Sequence, residues 1–310
     1  MDRIDEKEFL EHYDISRYDR PSLAADIVVF SINREKPTKE YRKIPPQKLR
    51  ILLIKRALQP FQGAWALPGG FMKRDETIYE TARRELKEET GTDKAYLELC
   101  HVFSDIGRDP RGWIISQTFM AMLNEEDIAH GHVEAGSDAK EAKWFNITVQ
   151  KISEEKQENN KVLTYDTDYE LRLENSIDII GSNTDNSTDN ILKATVREHK
   201  IYKDYHEIIT YQIIHSEGIA FDHAQIILCA FNRLKDKLNN DIRTVFDFMP
   251  TQFTLTDLQE TVELISGQEL IKPNFRRKIA DYVVETEQFI QNGAHRPAKA
   301  FVRNLEKFYD

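Results

Sequence analysis

Cysteine and long apolar runs are scarce in this sequence. Its 310 residues include only 2 cysteines, Cys100 and Cys229, which excludes a disulfide framework and a cysteine-rich zinc site. The first residues lack the apolar core of a signal peptide, and no run reaches the roughly 18 apolar residues that a membrane-spanning helix needs. We therefore expect a soluble protein of a reducing cytoplasm, with two free thiols.

An excess of positive charge is also absent. The sequence has 43 lysines and arginines against 53 aspartates and glutamates, a formal net charge of -10, which excludes a uniformly basic polyanion binder. Any surface for nucleic acid must therefore be a local basic patch. At 310 residues the chain exceeds the usual size of one compact core, which favours two domains.

The pattern of the chain changes near residue 150. Short β-rich runs alternate with one long helical pattern over residues 22–147, which predicts an α/β domain. A charged stretch at 153–161 and a polar stretch at 181–190 flank an alternating run at 163–173, and a second alternating run follows at 208–214. We interpret this region as a β-hairpin insertion with a mobile tip. The expected units are an N-terminal α/β domain at 1–150, a β-rich insertion at 151–218, a linker helix at 219–242 and a C-terminal domain at 243–310.

The strongest chemical signal is the segment 67–92, LPGGFMKRDETIYETARRELKEETGT. Thr77 and Glu80 form a capping box and Gly91 can supply a left-handed stop, which predicts a helix over residues 78–90. The apolar residues spaced at i, i+4 and i+8 give this helix a buried stripe of Ile78, Ala82 and Leu86.

Three glutamates, Glu85, Glu88 and Glu89, crowd another side of this helix. Like charges at this spacing repel, and Mg²⁺ held by a few carboxylates and by substrate phosphates would relieve the repulsion. Such an ion neutralises a diphosphate and activates the water that attacks it. Arg84, four residues before Glu88, can orient that carboxylate through a forked hydrogen bond. The alternative is a solvated acidic helix face, which is the commoner reason for glutamates on a helix.

Other residues near this segment are suited to bind a ligand. Arg56 ends an apolar strand and is placed to bind a phosphate, although a lone arginine is more often a surface salt-bridge partner. The turn at Gly69 and Gly70 lets the backbone approach the same site. The polar loop DIGRDPRGW, beside a turn-forming Asp-Pro, adds Arg108, Arg111 and Trp113.

The segment 67–92 resembles the Nudix box, Gly-x5-Glu-x7-Arg-Glu-U-x-Glu-Glu-x-Gly-U, in which U is aliphatic. Eight of its nine specified positions match, and only Thr92 departs. The resemblance implies a Nudix fold, an α/β/α sandwich with a mixed sheet, and Mg²⁺-dependent cleavage of nucleoside diphosphates linked to another group, with Mn²⁺ as a possible substitute. The implied metal ligands are Glu85, Glu88 and Glu89, with Arg84 to orient them and Glu76 in support.

The DPRGW sequence is similar to a loop of the ADP-ribose-binding Nudix branch, which implies that the loop 105–113 recognises the ligand. In that branch the general base can come from a later loop. Glu134, in HVEAGSDAKE, is one candidate for this role.

The C-terminal segment predicts the order helix, turn, helix, hairpin, which is that of a winged helix. Thr256 and Gln259 form a second capping box, Gly267 ends that helix, and a second helix follows Pro273. Phe275, Ile279, Tyr282 and Val283 are expected to pack inward. The acid-free cluster near the helix start, suited to phosphate contacts, is Lys272, Arg276, Arg277 and Lys278. The alternative is a solvated helix face in a protein-interaction module.

Short stretches at both ends of the chain resemble the NrtR-type regulators, in which a Nudix domain precedes a winged helix. These stretches are QPFQGAWALPGGF, GRDPRGWIIS, AFDHAQII, FTLTDLQ, FRRKIAD and HRPAKAF. The resemblance implies a dimer that senses ADP-ribose or a related sugar-linked ligand and represses operons for NAD or sugar metabolism. It implies contacts to operator DNA from Arg276, Arg277, Lys278 and Arg296, with Asn274 and His295 as helpers.

Three hypotheses about function follow. Many such regulators have lost carboxylates of the box, whereas this chain keeps all three, so turnover of the ligand is expected beside sensing. The first hypothesis is therefore a hydrolase that is also a ligand-responsive DNA-binding regulator, in which the ligand changes the spacing of two winged helices. The second is an enzyme whose C-terminal domain serves dimerisation or partner binding, and the third is a regulator with negligible turnover.

Overall fold

A computed structural model of the chain describes residues 5–34, 45–92, 94–130, 139–159, 161–175, 191–291 and 297–308. The polar tip expected at 181–190 lies outside these residues. Within the described part of the chain, no helix is long and apolar enough to cross a membrane.

The described residues form β-strands and six α-helices. The helices are α1 (Glu6–His12), α2 (Ile78–Thr90), α3 (Glu125–His130), α4 (His223–Asn240), α5 (Leu255–Ser266) and α6 (Lys272–Ile279). The strands are β1 (Ser22–Arg34), β2 (Gln47–Arg56), β3 (Trp65–Ala66), β4 (Gly69–Phe71), β5 (Tyr96–Phe103), β6 (Ile114–Leu123), β7 (Ala139–Asn159), β8 (Val162–Asn175), β9 (Ile191–Lys203), β10 (His206–Glu217), β11 (Val283–Ile290) and β12 (Ala298–Arg303).

Ten of the described strands form one mixed sheet, whose main path is β10-β9-β8-β7-β2-β1-β6-β5. Strands β1 and β6 are parallel, and β4 pairs with β1. Strand β1 is buried on both faces: Ile27 and Val29 pack in the core that holds α2, and Val28 and Phe30 pack in the core that holds α4. The sheet therefore lies between helices, which confirms the predicted α/β/α sandwich.

Helix α2 forms where the capping signals predict it. The Thr77 side chain accepts a hydrogen bond from the Glu80 backbone N–H, and the Glu80 carboxylate accepts one from the Thr77 N–H. Gly91 ends the helix at a φ of 71°. Ala82 and Leu86 are buried against the sheet, so the carboxylates of the same helix face elsewhere.

The β-rich insertion is confirmed, but it is larger than the single hairpin expected. Strand β7 runs without a break through residue 150 and the charged stretch up to Asn159, and β8, β9 and β10 follow it as antiparallel neighbours. The expectation missed β7 beyond 150 because both of its faces are exposed there, so that no apolar alternation marks it. Strand β9 was missed because its buried positions include the small residue Ala194.

The C-terminal helices and the strands of a winged helix are present, with two corrections. Helix α5 is capped by Thr254 and Asp257, not by Thr256 and Gln259. Both pairs fit the capping pattern, but Thr254 and Asp257 bond each other while the Gln259 side chain donates to Glu263 and to the Leu270 carbonyl. Gly267 ends α5 as expected, at a φ of 72°.

The second correction concerns α6, which has only 8 residues. Arg276, Arg277 and Lys278 therefore lie in its last turn rather than near its start, where the helix dipole favours cations. Phe275 and Ile279 are buried as expected, but Val283 already belongs to β11.

The winged helix contacts the large sheet directly. Arg34 at the end of β1 forms ion pairs with Asp257, at 3.0 Å, and with Glu260. The Thr261 hydroxyl donates to the Gln47 side chain at 2.9 Å. One apolar cluster runs from the sheet through α4 into α5 and α6. Because such cores are closely packed, a shift of α4 would displace the side chains of α5 and α6 that contact it.

Replacement of Asp247 tests the packing where α4 meets the winged helix. Burial raises the pKa of Asp247 from 3.8 to about 6, although the Arg303 charge opposes it. Between about pH 4 and pH 6, Asp247 is therefore protonated in the folded chain but ionised in the unfolded chain. The free energy of unfolding consequently falls as the pH rises through this range. Asp247→Asn should be more stable than the natural chain at neutral pH, by up to about 3 kcal/mol, and equal to it near pH 4. Urea unfolding at both pH values measures this, and identical pH profiles would contradict it.

Candidate functional site

A cavity of about 500 Å³ lies between α2, the turn of β4, the loop 105–113 and the start of α4. This volume suits a small-molecule ligand. It brings together residues that the sequence analysis selected from four separate segments. They are Arg56, Gly69, Gly70, Arg84, Glu85, Glu88, Glu89, Arg108 and Arg111.

The other selected residues lie elsewhere. Glu76 does not line the cavity, but it forms an ion pair with Arg84, which does. Trp113 is also outside the lining, and 58% of its surface is exposed. Glu134, the candidate general base, lies outside the described residues, as do His295 and Arg296 of the expected wing.

Arg84 organises the acidic side of the cavity. Its forked hydrogen bond goes to Glu76, at 3.1 and 2.9 Å, and not to Glu88 as expected. Another guanidinium nitrogen donates to Glu85, and Glu88 lies 3.6 Å from Arg84. Arg84 thus holds Glu85 more tightly than Glu88.

Glu76 is the anchor of this arrangement. The hydrogen bonds from Arg84 and from the Lys73 backbone N–H lower the pKa of Glu76 to about 2, and the Thr81 hydroxyl also donates to it. Because Glu76 is ionised and held by three donors, it fixes Arg84. Its expected supporting role agrees with this position.

Gly70 leaves the space that the Glu85 carboxylate occupies. A Cβ atom at Gly70 would overlap that carboxylate. Burial is the main cause that raises the pKa of Glu85, and its hydrogen bond to Arg84 opposes this. The close approach of backbone and carboxylate explains why glycine stands at this position.

Gly70→Ala is expected to displace Glu85 while leaving α2 folded. If the carboxylate positions a metal ion, the displacement should lower the rate of any metal-dependent hydrolysis by about 100-fold. The rate with saturating Mg²⁺ measures the effect, and circular dichroism checks that the helix is retained. An unchanged rate would contradict the role given to Glu85.

Glu85, Glu88 and Glu89 form the candidate metal site. Glu89 is buried and Glu88 is 52% exposed on its side chain, yet all three line the same cavity. Among the described residues, no three acidic, histidine or cysteine side chains are gathered into a ready-made metal site. The donor set nevertheless fits Mg²⁺, which takes one or two carboxylates and completes its shell with water and phosphate oxygens.

Arg108, expected to contact the ligand, is held inside the protein. Its side chain is 5% exposed and donates two hydrogen bonds to Asp222, both at 2.7 Å, with Asp26 at 3.7 Å. Burial alone would lower the pKa of Arg108, but the Asp222 hydrogen bonds raise it above its usual value. Arg108 therefore joins the loop 105–113 to the start of α4.

His223 makes a second connection from α4 to the cavity wall. Its Nδ1 accepts a hydrogen bond from the Leu67 backbone N–H at 2.9 Å, so Nε2 carries the proton of the neutral ring. Burial lowers the pKa of His223, although Asp26 opposes this. Since Leu67 precedes the glycine turn, the start of α4 helps to hold that turn.

Phe221 presents an aromatic ring to two arginines of the cavity. The guanidinium groups of Arg56 and Arg111 lie 4.8 and 5.1 Å from the ring centroid. Such contacts hold the positive charges at a fixed place. Sequence reasoning missed Phe221, Asp222 and His223 as site residues, although AFDHAQII was among the stretches shared with the NrtR-type regulators.

The candidate DNA-binding cluster lies on α6, on the exposed side of the C-terminal domain. Lys272, Asn274, Arg276, Arg277 and Lys278 are all exposed, between the buried Phe275 and Ile279. Arg277 donates to the Asn274 side chain at 3.2 Å. The cluster is therefore available to phosphates or bases.

Comparison with known proteins accounts for both parts of the chain. The NUDIX domain family matches residues 44–165, and the NrtR DNA-binding winged helix domain matches residues 245–302. The chain joins a Nudix domain to an NrtR-type winged-helix domain. Most residues that line the cavity lie within the Nudix match, whereas Phe221 and His223 come from the start of α4 beyond it. The basic helix α6 lies within the winged-helix match.

Two relatives show how far the likeness extends. The chain is 26% identical over 306 residues to the ADPR responsive transcriptional repressor NtrR of Acinetobacter baylyi, covering 98% of this chain and 90% of the relative. It is 47% identical over 98 residues to the ADP-ribose pyrophosphatase of Methanocaldococcus jannaschii, covering 32% of this chain and 55% of that enzyme. The likeness to the repressor thus spans both domains.

Two crystal structures have a similar fold. A MutT/nudix family protein from Enterococcus faecalis is 27% identical with a TM-score of 0.59, covering 97% of this chain and 95% of that one. Shewanella oneidensis NrtR in complex with a 27mer DNA is 22% identical with a TM-score of 0.53, covering 91% and 93%. The arrangement of a Nudix domain before a winged helix is therefore shared.

Proposed function

We propose that the chain is a ligand-responsive DNA-binding regulator whose Nudix domain also hydrolyses ADP-ribose or a similar nucleoside diphosphate-linked compound. The observation that carries this proposal is the complete set of box carboxylates beside Arg56 and Arg111 in one cavity. That cavity reaches the start of α4, whose other end packs against the winged helix. The names of the two relatives support the choice of ADP-ribose.

The proposed chemistry follows from the acidic and the basic residues that line the cavity. Glu85, Glu88 and Glu89 would hold Mg²⁺ or Mn²⁺, which would neutralise the diphosphate and activate the attacking water. Arg56 and Arg111, whose guanidinium groups lie against Phe221 in the same cavity, would bind phosphate oxygens. The products of ADP-ribose cleavage would be AMP and ribose 5-phosphate.

The winged-helix domain supplies the regulatory half of the proposal. Helix α6 would enter the major groove, with the cluster from Lys272 to Lys278 contacting phosphates and base edges. We propose a homodimer, because paired recognition helices need two half-sites at a fixed spacing. Its place in the cell would be the cytoplasm, beside the DNA.

A regulator with negligible turnover is the second candidate. Two observations favour it. Arg84 already donates a hydrogen bond to one carboxylate oxygen of Glu85. In addition, the described carboxylates are not gathered into a ready-made metal site. Binding of the ligand without hydrolysis would then be the whole role of the cavity.

Incubation with ADP-ribose and Mg²⁺ separates the candidates. The proposed function predicts release of AMP by the purified chain, together with a salt-sensitive shift of the DNA upstream of its own gene. ADP-ribose binding without AMP release would favour the second candidate. AMP release without any DNA binding at low salt would leave an enzyme with a C-terminal dimerisation domain.

A further inference from the structure

Asp222 occupies the N-cap position of α4 but does not cap the helix. Aspartate at this position usually accepts a hydrogen bond from the backbone N–H two or three residues later. Here its side chain makes no cap hydrogen bond, because both carboxylate oxygens accept from Arg108 at 2.7 Å. The carboxylate therefore has two competing partners, Arg108 and the helix end.

Although it is mostly buried, Arg108 in turn borders the cavity. It lines the cavity beside Arg111 and the glycine turn, and its fork can hold only one carboxylate or phosphate in bidentate fashion. A diphosphate in the cavity brings new anionic oxygens close to a guanidinium that Asp222 otherwise occupies. The Asp222 carboxylate and the diphosphate would then compete for the Arg108 guanidinium.

The far end of α4 reaches the winged helix. Lys237 in its last turn bonds Glu98 of the sheet at 2.6 Å, and Leu238 lies in the same groove as Phe275 of α6. Leu234, Leu238 and Phe275 belong to one buried cluster. Helix α4 therefore connects the N-cap residue Asp222 to the DNA-binding helix through continuous packing.

We propose that Asp222 is the residue through which a bound diphosphate acts on the winged helix. In the free chain Asp222 holds Arg108; when a diphosphate takes Arg108, Asp222 turns to cap α4 and the helix settles in a second position. This inference rests on the proposed function, because it needs both a diphosphate ligand and DNA binding. Coupling between ligand binding and DNA binding requires an element with two alternative states, and Asp222 supplies it by bonding either Arg108 or the start of α4.

The test measures how a ligand changes DNA affinity in Asp222→Ser and Asp222→Asn. Serine and asparagine are good N-caps, so either side chain can cap α4, but neither can form a charged pair with Arg108. The probe is the α,β-methylene analogue of ADP-ribose with Mg²⁺, which the chain cannot cleave. Asp168→Asn is the matched control, because it removes another forked Arg–Asp pair, with Arg197 at 2.7 and 2.9 Å, outside the cavity.

For the natural chain and for Asp168→Asn, we expect the probe to change the dissociation constant for DNA by about 5-fold or more. In both Asp222 variants that ratio should fall to about 1, while calorimetry shows that the probe binds at least as tightly as before. A ratio equal to that of the natural chain, or loss of probe binding, would overturn the proposal.

A second measurement does not depend on any variant. Hydrogen exchange at the backbone amides of residues 224 and 225 should slow when the probe binds the natural chain, because these are the amides that an N-cap side chain reaches. Unchanged exchange in a chain that binds the probe would overturn the role of Asp222. A natural chain that binds neither probe nor DNA would overturn the proposed function, and this inference with it.

Discussion

Glu88→Gln is expected to lower the rate of AMP release from ADP-ribose about 1000-fold. The substitution keeps the shape of the side chain but removes the charge of one of the three glutamates that α2 contributes to the cavity. Loss of a metal ligand removes several kcal/mol of transition-state stabilisation, and about 4 kcal/mol corresponds to this factor. Because the Glu88 side chain is 52% exposed, the chain should unfold at the same temperature as before.

Glu170→Gln is the matched control for this experiment. Glu170 is an exposed glutamate of β8 that does not line the cavity, and its replacement changes the net charge by the same amount. Its rate should equal that of the natural chain. If Glu88→Gln and Glu170→Gln hydrolyse ADP-ribose equally fast, Glu88 has no part in the chemistry.

Replacing Arg276, Arg277 and Lys278 together by glutamine should weaken DNA binding about 100-fold or more. This assumes about 1 kcal/mol or more for each phosphate contact that is lost. The slope of log K against log salt should become shallower by about 3, since each contact releases roughly one counterion. All three side chains are exposed on α6, so the fold should persist.

The control triple variant removes the same charge from another surface. Lys151, Lys156 and Lys161 are exposed residues of the β7–β8 hairpin. Their replacement by glutamine makes the net charge equally negative without touching α6. If both triple variants lose affinity to the same degree, DNA binding depends on overall charge rather than on a recognition helix.

Local signals explain why much of the fold was predictable. The capping box at Thr77 and the glycine at Gly91 lie within a few residues of the helix that they delimit, so their effect is visible in the sequence. At Thr254 and Thr256 two such signals overlap. There the sequence alone does not tell which pair forms the capping box, because Gln259 instead donates to the Leu270 carbonyl, 11 residues further along the chain.

The role of Arg108 was not predictable from local sequence. Its partner Asp222 lies 114 residues further along the chain, and only the fold brings them together. A loop arginine beside glycine and proline is typical of a ligand contact, yet here it is buried against a helix start. The same holds for His223, whose bond to Leu67 spans 156 residues.

The cavity itself was predictable to a greater extent. Motif spacing places Arg84, Glu85 and Glu88 on one side of α2, and the structure gathers them in one cavity with Arg56 and Arg111. Spacing gave no information about which acid Arg84 would hold. Arg84 holds Glu76, which also accepts hydrogen bonds from the Lys73 backbone N–H in the preceding turn and from the Thr81 hydroxyl in α2.

A crystal structure of the chain grown with Mg²⁺ and α,β-methylene ADP-ribose would show whether the cavity binds a divalent cation and a diphosphate together. We predict a divalent cation on oxygens of Glu85, Glu88 and Glu89, and the diphosphate between that cation and the arginines at 56 and 111. A cavity that holds neither cation nor diphosphate at saturating concentrations of both would contradict the account.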